Sequence, residues 1–125
     1  MNSRKQKLST SFRHALEGIL VAFKTQRNIR IHVTLGIVVI VAALYLGLPP
    51  RDIALLLLVI SLVIAAELVN TAIEAVVDLV TSEWHALAKM AKDTAAGAVL
   101  VSAGFAVSIG LILFYRPVMI WLGLY

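Results

Sequence analysis

The residues of this chain best suited to chemistry lie between Glu67 and Asp78, directly after an uncharged apolar run. At about 100° per residue in a helix, Glu67, Asn70, Glu74 and Asp78 fall within an arc of roughly 80°. Carboxylate and amide oxygens are the ligands that hard cations such as Mg²⁺ prefer. Ionisable groups inside a membrane helix are costly to bury and usually mark a functional interior. The spacing therefore predicts one polar stripe, with the ligands of a cation site, on an otherwise apolar helix.

Less specific interpretations of the same stripe exist. A single buried acid such as Glu67 suits either a proton relay or a structural ion pair, and the later members lie where charge is tolerated. A purely structural stripe requires cationic partners in register, and the second apolar segment contains none. The grouping of four polar residues therefore favours a binding or catalytic role over simple solvation.

Composition predicts a single membrane domain. The chain has 125 residues, and 61% of them are hydrophobic, compared with about 45–50% in soluble proteins. We assign membrane helices to residues 31–48, 53–80 and 94–115, which are long or nearly long enough to span the hydrocarbon core. Residues 1–30 hold an amphipathic helix that suits a membrane surface or a soluble partner. The predicted fold class is all-α, with an N-terminal surface helix and three transmembrane helices.

Breaks between these segments are predicted from helix-ending and helix-capping residues. Pro49 and Pro50 are expected to end the first span, and Asp52 to cap the second. Asp93 is a good N-cap for the third span. Alternatively, Lys92 and the free backbone N–H groups at that helix end could bind a polyphosphate. We expect Arg116-Pro117 to close the third span.

The distribution of basic residues predicts the topology. The N-terminal block holds seven of the Lys and Arg residues, the 81–92 loop holds two, and the 49–52 turn and the C-terminus hold one each. Positive-inside orientation then places the N-terminus and the 81–92 loop in the cytoplasm, where the stripe opens toward ATP. The N-terminal block suits lipid headgroups better than nucleic acid. Its members are Arg4, Lys5, Lys7, Arg13, Lys24, Arg27 and Arg30.

Several other kinds of site are not indicated. The sequence has neither a phosphate-binding glycine loop nor any cysteine. His14, His32 and His85 share no metal-ligand spacing and are interpreted as polar interface residues. Small residues such as Gly104 and Ser108 on the third span are expected to let helices approach closely.

Longer motifs resemble a known family. The run ELVNTAIEAVVD, residues 67–78, closely resembles the signature of the prokaryotic diacylglycerol kinases, and SEWH at 82–85 and AKDTAAGAVL at 91–100 extend the match. The segments FRHALEGI at 12–19 and RNIRIH at 27–32 are similar to the undecaprenol kinase branch of that family. The resemblance covers nearly the whole chain.

The resemblance implies an architecture and an activity. The expected assembly is a homotrimer in the inner (plasma) membrane, with active sites shared between neighbouring subunits at the cytoplasmic interface. The expected reaction transfers the γ-phosphate of ATP, with Mg²⁺ as cofactor, to a lipid alcohol. Undecaprenol is the favoured acceptor and diacylglycerol a close second, on the N-terminal resemblance alone.

The resemblance also implies roles for single residues. Glu67 would be the general base on the lipid hydroxyl, and Glu74 would hold Mg²⁺. The expected cofactor-binding residues are Asn70, which helps to order the site, and Asp78, Lys92 and Asp93, which contact the nucleotide or support its contacts. These roles agree with phosphoryl transfer, which chiefly needs positioning, a metal on the phosphates and a base for the nucleophile.

One position departs from the family pattern. Gln26 stands where the family usually carries a second metal-binding glutamate, and an amide oxygen brings no charge to a cation. The second metal would therefore bind more weakly.

The alternatives to a kinase are a small proton-coupled transporter subunit built around Glu67 and a catalytically weakened scaffold of the same fold.

Overall fold

The computed structural model describes the backbone from Asn2 to Tyr125 and the side chains from Lys7 onward, so Arg4 and Lys5 of the basic N-terminal block lie outside the described side chains. The described chain forms four helices: α1 (Asn2–Thr25), α2 (Arg27–Tyr45), α3 (Pro50–Val80) and α4 (Ala86–Trp121). The last three are long and apolar enough to cross a membrane. The predicted all-α class, with three helices able to span a membrane after an N-terminal helix, is confirmed.

The first spanning helix begins earlier and ends earlier than the predicted 31–48. Gln26 has an extended backbone (φ −102°, ψ 119°) and separates α1 from α2, which starts at Arg27. At the other end, Gly47 has a φ of +69°, and the Leu48 N–H donates to the Ala43 carbonyl at 2.9 Å. A glycine in the left-handed region is a common helix stop. The helix therefore ends at this glycine, before the two prolines.

The second spanning helix begins with proline rather than with an aspartate cap. Pro49 is the N-cap residue, and Pro50 occupies the first helical position. Proline suits that position because its missing N–H would have no helical partner there. Asp52 lies inside the first turn, where its N–H donates to the Pro49 carbonyl at 2.9 Å. The prediction that Asp52 caps this helix is therefore wrong.

The third spanning helix extends beyond the predicted 94–115 at both ends. It starts at Ala86, because the His85 side chain caps it and residues 86–92 are nearly all strong helix formers. Asp93 therefore lies within the helix, and its predicted capping role is wrong. At the far end α4 continues through Pro117 to Trp121, and the Leu122 N–H still donates to the Val118 carbonyl. Membrane helices tolerate such prolines because the freed groups find other partners.

Helix α3 lies at the centre of the packing and contacts both α4 and α2. It approaches α2 closely at Gly36, where an added Cβ would lie 2.8 Å from Ile60 Cγ2. A Cβ added at Gly97, Gly104 or Gly110 of α4 would meet no described atom within 4 Å. Among the described glycines, the close helix contact is thus made by Gly36 of α2 rather than by those of α4.

Candidate active site

The polar stripe continues the packing face of α3. The buried residues of this helix are Leu56, Val59 and Val63, followed at the same three- and four-residue spacing by Glu67 and Asn70. The exposed fraction is 2% for Glu67 and 7% for Asn70. The face that packs the helices together in the first half of α3 thus carries a carboxyl and an amide in the second half.

Exposure increases along the stripe toward the end of α3. Glu74 is half-buried, whereas 65% of the Asp78 side chain is exposed. Helix α3 remains regular to Val80 and then ends at Thr81, whose backbone is extended. A single straight element therefore carries Glu67 inside the packed chain and Asp78 at its accessible end.

Asn70 and Glu74 form a pair in which one oxygen is left without a donor. The Asn70 Nδ2 donates to Glu74 Oε1 at 3.2 Å. The Asn70 Oδ1 is buried, and no described residue donates a hydrogen bond to it. Leaving a buried acceptor unsatisfied costs about 1–3 kcal/mol. The pair thus offers a free amide oxygen beside a carboxylate, which are oxygen ligands suited to Mg²⁺.

Glu67 is buried as a residue, and no described residue donates a hydrogen bond to its carboxyl group. The nearby Thr71 hydroxyl donates instead to the Glu67 backbone carbonyl at 2.9 Å. Glu67 thus forms the inner end of the stripe, and its carboxyl group has no side-chain partner among the described residues.

The charged residues at the accessible end form two separate ion pairs. Lys92 Nζ contacts Asp78 Oδ1 at 2.5 Å and joins α4 to α3. Lys89 contacts Asp93 within α4, so Asp93 does not join the stripe in this arrangement. The second apolar segment contains no cation of its own, and the partner of Asp78 comes from the next helix. Exposed ion pairs contribute little stability, which leaves Lys92 able to exchange Asp78 for another anion.

The connection from Thr81 to His85 sets the start of α4 and with it the position of Lys92. The Thr81 hydroxyl accepts a hydrogen bond from the Glu83 N–H at 3.1 Å. His85 Nδ1 accepts from the Leu87 N–H at 3.2 Å and caps the helix. Sequence reasoning missed this capping role, although a polar residue directly before a run of strong helix formers is the available signal.

Gln26 is half-buried in the break between α1 and α2, and its side chain does not cap the helix that follows it. Among the described residues no three His, Asp or Glu side chains are grouped closely enough to hold a metal ion. Mg²⁺ is usually held by one or two carboxylates with phosphates and water. Glu74 with Asn70 fits that smaller requirement within one chain, and further ligands would come from substrate or another copy.

Two apolar grooves lie between the helices. One, of about 640 Å³, runs between α3 and α4 and includes Asn70 in its lining. The other, of about 580 Å³, is bounded by α2, α3 and α4 and includes His32, but no residue of the stripe. Asn70 thus borders a surface that suits hydrocarbon chains.

The chain is similar to known proteins over most of its length. Residues 13–114 match the family model described as prokaryotic diacylglycerol kinase. A diacylglycerol kinase of Synechocystis sp. is 50% identical over 113 residues, covering 90% of this chain and 65% of that protein. An undecaprenol kinase of Bacillus subtilis is 41% identical over 104 residues, covering 83% of this chain and 85% of that protein.

A more distant relative extends the agreement. A diacylglycerol kinase of Haemophilus influenzae is 34% identical over 95 residues, covering 76% of this chain and 80% of that protein. The match at 13–114 takes in the junction of α1 and α2, the whole of α3 and most of α4. The resemblance first drawn from the 67–78 motif is confirmed, and the chain belongs to the prokaryotic diacylglycerol kinase family.

Proposed function

We propose that this chain is an ATP-dependent membrane lipid kinase that transfers the γ-phosphate of Mg-ATP to the hydroxyl of a lipid alcohol. The observation that carries the proposal is Glu67, an acid that is 2% exposed and lies one turn before the Asn70–Glu74 pair. The family supports it, because the named relatives are diacylglycerol kinases and an undecaprenol kinase.

In this proposal each residue has a distinct task. Glu67 accepts the proton of the lipid hydroxyl as its oxygen bonds to the γ-phosphorus and the bond to ADP breaks. Asn70 and Glu74 hold Mg²⁺, which when bound neutralises charge on the phosphates. Lys92 releases Asp78 and contacts a phosphate. Gln26 contributes an uncharged oxygen to a weak second metal site, and Asp93 supports the nucleotide contacts.

The acceptor that we favour is undecaprenol, with diacylglycerol second. The segments at 12–19 and 27–32 support the first choice through their resemblance to the undecaprenol kinase branch. The relative from Synechocystis, a diacylglycerol kinase, supports the second. Both acceptors present one hydroxyl on a long apolar body, which agrees with the apolar groove that Asn70 borders.

We also propose the placement and the assembly of the protein. The excess of Lys and Arg at the N-terminus supports an inner-membrane protein whose N-terminus and active site face the cytoplasm. The family resemblance implies a trimer, and we propose that a neighbouring subunit completes each site.

The test is phosphate transfer from labelled ATP to a panel of lipid alcohols in mixed micelles. We expect label on one alcohol, and a loss of about 10²–10⁴-fold in Glu67→Gln, the range for removal of a general base. The matched control is Glu17→Gln, an exposed acid of α1 that pairs only with Arg13, at 3.6 Å. This control is expected to keep native activity.

Two results would overturn the proposal. Full transfer by Glu67→Gln would remove the assigned base. Proton flux into vesicles that needs Glu67 but consumes no ATP would instead establish the transporter alternative, which the buried acid also suits.

A further inference from the structure

Helix α1 is attached to the rest of the chain near its C-terminal end. From Lys7 to Thr25 every side chain is exposed except Ala22, which is 3% exposed. The helix packs on α2 and α3. Within one chain, the direction of α1 therefore depends on contacts near its C-terminal end, where α1 meets α2.

At the junction with α2, carbonyl groups in the last turn of α1 have no helical hydrogen-bond donor. The Gln26 N–H donates to the Ala22 carbonyl at 2.8 Å and completes the last turn of α1. The carbonyls of the next two residues, Phe23 and Lys24, have no such donor because the chain turns extended at Gln26. Orphan carbonyls at a helix end carry partial negative charge and favour a cation.

Arg30 supplies that cation from the first turn of α2. Its Nη1 donates to the Phe23 carbonyl at 3.1 Å and to the Lys24 carbonyl at 2.9 Å. The preceding residue, Ile29, is 1% exposed and anchors the same turn in the packed chain. One guanidinium group therefore joins the exposed side of the junction, at Phe23 and Lys24, to its buried side, across the break at Gln26.

We propose that Arg30 is a positioning residue, which clamps the end of α1 to α2 and so fixes Gln26 at the break between the two helices. The clamp is a property of the fold. Its effect on catalysis rests on the proposed kinase function, in which Gln26 contributes to the second metal site. Arg30 itself touches neither nucleotide nor lipid in this proposal.

The clamp is tested on the full chain in bilayer nanodiscs by the distance between two spin labels. The chain has no cysteine, so Ser11→Cys on α1 and Ser82→Cys after α3 provide unique attachment sites. Dilution with unlabelled chains restricts the measurement to distances within one chain. We expect a narrow distribution with Arg30, a broad one in Arg30→Met, and partial recovery in Arg30→Lys.

Arg27→Met is the matched control, because Arg27 lies three residues away and its side chain has no hydrogen bond or ion pair with a described residue. It is expected to keep the narrow distribution. A distribution in Arg30→Met as narrow as that of the native chain would overturn the clamp.

A second experiment tests the link to catalysis by measuring how the rate of phosphate transfer depends on Mg²⁺ concentration. Arg30→Met is expected to raise the half-maximal Mg²⁺ concentration about 10-fold, as for loss of an outer-shell partner. The rate at saturating Mg²⁺ should remain close to native. In a Gln26→Ala background the same change should add no further shift, since Arg30 acts through Gln26.

The two experiments distinguish failure of the clamp, failure of its link to Gln26 and failure of the proposed function. Broadened distances with an unchanged Mg²⁺ dependence would overturn the link from Arg30 to Gln26 while keeping the clamp. Absence of transfer by the native chain would overturn the proposed function, and the spin-label distances alone would then decide the clamp.

Discussion

Asn70 is the residue at which packing and chemistry meet on α3. Its amide nitrogen is used by Glu74, whereas its amide oxygen is buried without a donor among the described residues. Buried polar atoms without partners are rare in native proteins and usually have a functional explanation. In the proposed site the missing partner is a bound cation, so the cost of this oxygen is offset only when the site is filled.

Replacement of Asn70 by alanine should therefore act mainly on metal binding. We expect Asn70→Ala to raise the Mg²⁺ concentration for half-maximal transfer by about 10–100-fold, the range for a disturbed metal environment. The measurement is transfer rate against Mg²⁺ concentration at saturating ATP and lipid. Thr71→Val is the control, because the Thr71 hydroxyl bonds only to the helix backbone. An unchanged Mg²⁺ dependence in Asn70→Ala would contradict the role given to this residue.

At the residue scale the sequence predicted the stripe but not its ion pairs. Helical periodicity alone places Glu67 and Asn70 on one face, and the structure buries both. The contact of Asp78 with Lys92 depends on where the following helix starts and how it returns along α3. That information is not contained in the spacing along α3. The ion pair of Lys89 and Asp93 could be predicted from the four-residue spacing of these residues, but we did not predict it.

At the scale of helices, the sequence predicted the order of the elements better than their ends. Long apolar runs fix where helices form, because each must satisfy its own backbone in a membrane. The ends depend on single competing signals. At the start of α4, the helix-forming residues before Asp93 outweigh the capping preference of Asp93. Near the end of α4, Pro117 does not stop the helix.

The contact of α2 with α3 gives a test of packing at this scale. Gly36→Ala would place a methyl group 2.8 Å from Ile60 Cγ2, a stiff β-branched atom. We expect a loss of about 1–3 kcal/mol in the free energy of unfolding, as for an overpacked core. Ile60→Ala should cost less in the Gly36→Ala background than in the native chain, since it removes the clash.

Unfolding in mixed micelles, followed by circular dichroism, measures all four proteins of this double-mutant cycle. Gly104→Ala serves as the control, because a Cβ there would meet no atom of the chain within 4 Å. Equal losses from Gly36→Ala and Gly104→Ala would show that the contact with Ile60 does not determine the stability of α2 against α3.

At the scale of the whole molecule, the unequal lengths of the helices make the two ends of the bundle different. At about 1.5 Å per residue, α2 is about 28 Å long, close to the 30 Å hydrocarbon core. By the same measure α3 and α4 are about 46 and 54 Å long, so both extend beyond the core. The excess carries the charged end of the stripe and the two lysines of α4. The proposed orientation places this end in the cytoplasm.

Thiol labelling in cells tests that orientation, because the native chain has no cysteine to interfere. A membrane-impermeant maleimide should modify Leu124→Cys in intact cells and should reach Ser82→Cys only after lysis. Both positions are exposed in the structure, so a difference reports sidedness. The unmodified chain controls for background. Reversed reactivity would place the stripe on the side away from cytoplasmic ATP.

Glu67 and Asn70 occupy positions that the spacing of Leu56, Val59 and Val63 would otherwise assign to hydrophobic core. Leucine at these two positions would continue the apolar packing between helices and remove the buried Asn70 oxygen that lacks a donor among the described residues. We expect such a variant to be more stable than the native chain, since natural proteins rarely lie at their stability optimum. Selection for thermal stability alone would then favour the loss of both residues, and in the proposed kinase it would remove the base and a metal ligand together.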